Sequence, residues 1–373
     1  MTIREQYLLR DDVVFLNHGS FGACPKPVFE CYQAWQRELE AQPVEFLGRR
    51  HDDLTRDALA TLGNYLGTDG SNLVFVPNAT TGLSMVARSL DLDVGDEVLT
   101  TDLEYGALDL TWAFISEKTG CEIVPVALPL PMTDTDAVVE ALWAGVTDRT
   151  KVIFLSHVTS ATALLLPIEQ ICTRAREAGI LTIIDGAHVP GQIPLDLEAL
   201  GADIYSGNLH KWLSAPKGSA FVYIHPDWHA KVDPLVISWG SDGDTLFERT
   251  RWQGTRDIAA FLTVPEAIAF QHAHDWDTVR ERCHALAVET VNRVCDLTGL
   301  TPLSTPDFYG QLVAIPLPDT VNPEQLKHDL YEQFRVEAPI TTYKNQVFIR
   351  ISIAAYNTPS DIDALIKALE ALL

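Results

Sequence analysis

Between residues 72 and 224 the chain alternates short runs of apolar and β-branched residues with stretches of helical period, and this alternation restricts the fold more than any other feature. LVFV (73–76), EVLTT (97–101), EIVPV (122–126), KVIFLS (151–156), LTIID (181–185), DIYSG (203–207) and AFVYI (220–224) have the length and composition of strands. Between them lie helical patterns such as GLSMVARSL (82–90), LDLTWAFISEKTG (108–120) and PIEQICTRAREAG (167–179), the last ending on a glycine. Strands separated by helices assemble into a mainly parallel sheet flanked by helices, which predicts an α/β domain.

After Thr255 the pattern changes. A helical stretch from Ile258 to Leu297 is followed by Pro-punctuated strands and a final helix from Ser360 to Leu373. The expected division is an N-terminal segment over 1–22, a large domain over 23–257 and a smaller α+β domain over 258–373. A chain of 373 residues, 47% of them hydrophobic, can bury cores of that size.

A formal net charge of −24 with no basic stripe argues against a nucleic-acid or anionic-membrane partner. No apolar run is long enough to span a bilayer. The first residues lack the apolar core of a secretory signal. Six scattered cysteines without a CxxC pair fit reduced thiols in a cytoplasmic protein and give no metal-ligand spacing. A nicotinamide cofactor is disfavoured because no GxGxxG opens a helix after an early strand.

Two residues stand out for chemistry. Asp185 closes the apolar run ILTIID, at the carboxyl edge of the sheet where open α/β folds place ligands. It could cap a helix, or it could pair with a cationic ring nitrogen of a cofactor. Lys211 follows a strand and has apolar neighbours in Leu209, Trp212 and Leu213. Such neighbours favour a neutral, nucleophilic amine, although lysines also snorkel from apolar surroundings.

Together the pair says more: strand, Asp, strand, then Lys is the order in which pyridoxal 5'-phosphate (PLP) enzymes of the aspartate aminotransferase fold present their pyridine partner and Schiff-base lysine. DGAHVPGQ (185–192) and SGNLHKW (206–212) resemble the class V aminotransferase family, which includes cysteine desulfurases. LNHGSFGACP (16–25) resembles its isopenicillin N epimerase branch, and the likeness runs from about Phe15 to Asn357.

That resemblance implies fold type I, PLP as cofactor, an amino acid as substrate and a homodimer with shared active sites. It assigns Ala79, Thr80 and Thr81 to a phosphate cradle at a helix start, a place that also fits plain helix capping. Tyr105 would stack on the pyridine, where desulfurases have His. Ser160 and His188 would lie near the cofactor's phenolic oxygen, Asn208 and His210 would reach its phosphate, and Gly254 and Thr255 would reach the partner subunit's phosphate. Arg350, inside the apolar run VFIRISI, would bind the substrate carboxylate, the alternative being an internal acid. Asn17 and His18 would face the same pocket.

The implied reaction begins at the α-carbon, through an external aldimine with Lys211 as proton carrier. An epimerase-like outcome is favoured. C–S lyase, aminotransferase and a catalytically silent PLP-fold binding module are the alternatives. Desulfurase chemistry is disfavoured because FRVEAPITTYKNQVFIR (334–350) holds no cysteine.

Overall fold

The computed structural model describes residues 2–373. Its twelve strands are β1 (Val14–Phe15), β2 (Leu73–Val76), β3 (Glu97–Thr101), β4 (Glu122–Val126), β5 (Thr150–Ser156), β6 (Leu181–Asp185), β7 (Ile204–Asn208), β8 (Ala220–Ile224), β9 (Leu312–Leu317), β10 (Val336–Glu337), β11 (Ile340–Tyr343) and β12 (Gln346–Ser352). Seven of them form one sheet in the order β2-β8-β7-β6-β5-β3-β4. Only β8 runs against the others, so the carboxyl ends of β3, β5, β6 and β7 share an edge with that of β2.

Strands β6, β7 and β8 are buried at every residue, as a sheet covered on both faces requires. Alternate residues serve two cores. Phe75, Leu99, Ile153, Ile184, Tyr205 and Phe221 face one core, and Val74, Val98, Val152, Ile183, Ile204 and Val222 face the other. The partly exposed strand β4 contains Pro125, which the sheet tolerates at its rim. Helices after β3 and β5 stop where Gly120 and Gly179 take left-handed backbone.

A second, antiparallel sheet has the order β11-β12-β9 and packs with the helices Trp276–Thr298, Pro323–Phe334 and Pro359–Leu372 around its own core. The short strand β1 pairs in parallel with β10, and Leu16 enters that same core. The stretch expected as one long helix is three, Ala259–Leu262, Val264–His272 and Trp276–Thr298. Ile258, Phe261, Val264, Ile268 and Phe270 belong to the core of the large sheet. The packing therefore changes near Trp276 and not at 257/258, because an apolar helix pattern does not reveal which sheet it covers. Among the described residues no helix is long and apolar enough to cross a membrane.

Candidate active site

The register of β6 against β7 sets Asp185 beside Ser206, and the turn carrying Lys211 begins three residues past the end of β7. His188, three residues beyond Asp185, closes the gap: its Nε2 lies 3.2 Å from Lys211 Nζ. Asp185 is buried, and its Oδ1 accepts the Ala187 N–H at 2.9 Å. Burial pushes its carboxyl up to about 6, against that hydrogen bond and the attraction of Lys211. Burial likewise brings the Lys211 amine down to about 8, with Asp185 opposing and Arg350 reinforcing the shift. His188 is held neutral, first by burial and then by the cations Lys211 and Arg350, and its Nδ1 is buried without a partner.

At the amino end of the helix Ala79–Ser89 the backbone donors are partly engaged. Asn208 Oδ1 accepts the Ala79 N–H at 2.9 Å, and Asn78 Oδ1 accepts both the N–H and the hydroxyl of Thr81. Asn208 thus fixes the helix start, which leaves Thr80 with the freest donors of the turn. The His210 ring meets the Ser219 carbonyl through Nδ1 at 3.0 Å, and burial lowers its pKa to about 4. Gly254 and Thr255 lie in a partly exposed loop, and Gly254 has a positive φ of 95°.

Tyr105 precedes the helix Gly106–Thr119 and is 44% exposed. Its neighbour Glu104, which the sequence reading passed over, is buried: it accepts the Thr101 hydroxyl at 2.6 Å and the Ser156 N–H at 2.7 Å. Burial pushes Glu104 up to about 7, opposed by those hydrogen bonds and reinforced by Asp185. The carboxyl ties the Tyr105 turn to the end of β5. Glu104 lies three residues past the end of β3, in a turn where the sequence offers no signal of burial.

Arg350 enters from β12. Along that strand Ile349 and Ile351 face the small core while Phe348 faces the large one, so alternation turns Arg350 toward the large sheet. It is buried, yet no acid pairs with it among the described residues. Nη1 donates to the Ser160 carbonyl at 2.6 Å, Nη2 donates to the Ser20 hydroxyl at 3.1 Å, and Nε is buried without a partner. Burial lowers its pKa to about 10. Ser160 contributes its carbonyl to this arrangement. Asn17 Oδ1 accepts the Ser20 hydroxyl, and Asn17 Nδ2 donates to Glu337 at 3.1 Å.

His18 departs from expectation. It is 2% exposed, with Nδ1 3.0 Å from the Tyr356 hydroxyl and Nε2 3.0 Å from the Lys211 carbonyl. Both ring nitrogens are occupied by the protein itself, so the ring does not face a substrate pocket. Ser20 and Tyr356, also missed, lie in segments that meet only in the folded chain.

The donor set suits PLP and an amino acid. An acid lies beside a depressed amine for the ring and aldehyde, helix-start donors and His210 offer themselves to a phosphate, and a buried guanidinium lacks an anion. A guanidinium left this way is costly unless a ligand carboxylate satisfies it.

A family model, aminotransferase class V, matches residues 21–365. Isopenicillin N epimerase of Amycolatopsis lactamdurans is 36% identical, with 99% of this chain and 97% of that protein covered. Putative L-cysteine desulfhydrase 1 of Oryza sativa subsp. japonica is 28% identical over 97% of this chain and 83% of its own. A solved structure described as a C-DES mutant with glycine covalently linked to the PLP cofactor superposes with a TM-score of 0.86 at 21% identity, covering 100% of both chains. The chain belongs to the class V aminotransferase family.

Proposed function

We propose that this class V enzyme is loaded with pyridoxal 5'-phosphate at Lys211 and moves the α-hydrogen of an amino acid in the manner of an epimerase. One observation carries the reading: Lys211, Asp185 and the acid-free Arg350 converge on one sheet edge, each with its ionisation shifted by burial. When bound, PLP supplies an aldehyde for the amino group and a ring that takes up the electrons left at the α-carbon.

The chain's residues do the rest. Asp185, ionised above about pH 6, would hold the ring nitrogen's proton, and Lys211 would offer the amine. Thr80 and His210 would hold the phosphate, Thr81 having both its donors on Asn78, and Tyr105 would stack on the ring. Arg350 takes the substrate carboxylate in a two-pronged contact. That would fix which side of the α-carbon faces Lys211 Nζ, the group that would take the proton on that face, and inversion would require a proton delivered to the opposite face. Gly254 and Thr255 would reach the other subunit's phosphate in a homodimer.

The epimerase reading rests on the relative of that name over nearly the whole chain. The desulfhydrase relatives favour a second reading, C–S lyase. A desulfurase needs a reactive thiol, and Cys24 near the N-terminal turn is held at about 12 by burial.

The test is spectroscopic and then chemical. Protein supplied with PLP should absorb in the visible, lose the band to borohydride, and lack it in Lys211→Ala. In heavy water with a panel of L-amino acids, α-deuteration with inversion supports epimerase. Pyruvate with sulfide supports the lyase, and a keto acid with aminated cofactor supports transamination. Folded protein that stays colourless overturns the proposal and leaves the silent binding module.

A further inference from the structure

We infer that His18 is a positioning residue for this reaction, a buried strut that holds the main chain of Lys211 against the small domain so that its amine stays aligned with Arg350. The inference rests on the function proposed above. A carbonyl can only accept, so the His18 nitrogen facing the Lys211 carbonyl carries the hydrogen. Burial keeps the ring neutral, with its pKa lowered to about 3, so the other nitrogen accepts from the Tyr356 hydroxyl. One tautomer satisfies both bonds.

The two ends of the strut come from stretches far apart in the chain that meet in the core of the large sheet. Tyr356 lies six residues after Arg350, beyond the end of β12, and Lys211 lies on the turn after β7. That turn needs holding. The Ser214 N–H donates to the Lys211 carbonyl at 2.9 Å, and Ser214 has φ 63°, a left-handed conformation that is strained outside glycine.

Packing restrains the ring further. Its centroid lies 5.1 Å from that of Trp212 and 5.7 Å from that of Tyr356. Gly22, at φ 72°, lets the segment pass so close that a Cβ there would stand 1.9 Å from the His210 carbonyl. Ser20, two residues beyond His18, receives Arg350 Nη2. The four-residue helix His18–Phe21 therefore touches the lysine's main chain and the guanidinium at once. A misplacement near 1 Å at a reacting group can cost about 100-fold in rate.

The experiment uses holoenzyme and α-hydrogen exchange in heavy water. In His18→Phe, which keeps a ring and loses both bonds, kcat should fall roughly 10- to 100-fold while KM and the inhibition constant of propionate stay within about twofold. His18→Gln presents an amide donor and acceptor in place of the two nitrogens and should recover most of the loss. Tyr356→Phe, missing one bond, should fall between them, and it carries the test if His18→Phe does not fold.

Unchanged kcat in folded His18→Phe or in Tyr356→Phe overturns the inference. So does a rise in KM that accounts for the whole loss, which would make His18 a substrate ligand, or a Gln variant as slow as the Phe variant. Failure of the parent reading looks different: wild-type protein with PLP shows no borohydride-sensitive band.

Discussion

In the seven-stranded sheet the candidate groups stand at the last residue of a strand or just past it, whereas in the three-stranded sheet Arg350 projects from within β12. The difference follows from what each sheet has to cover. The large sheet is buried on both faces, so Asp185 and Lys211 can reach a ligand only where the strands stop. The small sheet turns one face to its own helices and sets the other against the large sheet, so alternation alone delivers a side chain between the two. On the function proposed above, one region would hold the cofactor and move the proton, and the other would choose which molecules with a carboxylate enter.

If that division is right, variants on the two sheets fail in separable ways. Lys211→Ala should lose the visible band and at least about 10³-fold in exchange rate, while propionate still binds within about twofold. Asp185→Asn should cost roughly 10²- to 10³-fold in kcat and move the band, again sparing propionate. Arg350→Met should reverse the pattern: kcat/KM drops about 100-fold and propionate affinity is lost, with the band in place. A band displaced by Arg350→Met as far as by Asp185→Asn would break the comparison.

The smallest effect sharpens it through stability. Burial raises the Asp185 pKa from 3.8 to about 6, so between those values the folded protein keeps a proton that the unfolded chain has released. The associated stability is complete below about pH 4 and declines as pH rises through 6. Apoprotein of Asp185→Asn should therefore melt roughly 2–6 °C above wild type at pH 8 and level with it near pH 4. A constant difference at both pH values would show that the aspartate's ionisation is not the cause.

The large sheet was legible in the sequence because strands covered on both faces leave short runs rich in apolar and β-branched residues: 73–76, 97–101, 181–185 and 220–224 coincide with observed strands, as does the partly exposed rim strand 122–126. Asp185 and Lys211 could be picked out as a pair, a carboxylate closing an apolar strand and a lysine among apolar neighbours after the next one, since each alone also fits a structural use. Arg350 stood out for the complementary reason, a charge in the middle of an apolar strand. His18 was misjudged because a His in a Gly-rich turn looks accessible. Its burial depends on Tyr356, 338 residues away, and on Lys211, 193 residues away. Glu104 was hidden by its neighbour Tyr105, and the helices over 259–272 by the fact that periodicity gives a buried face without naming its partner.

The pairing of β1 with β10 has a consequence for biosynthesis. Val14 and Phe15 emerge from the ribosome long before Val336 and Glu337, and the segment that buttresses the lysine hangs between them. The nascent protein can close its larger sheet early, but its N-terminal strand must wait unpaired through roughly 320 further residues, at about 5–20 residues per second. Until then this short strand stays open to a chaperone, and the pairing that anchors the His18 segment forms only once residues 336 and 337 have been made.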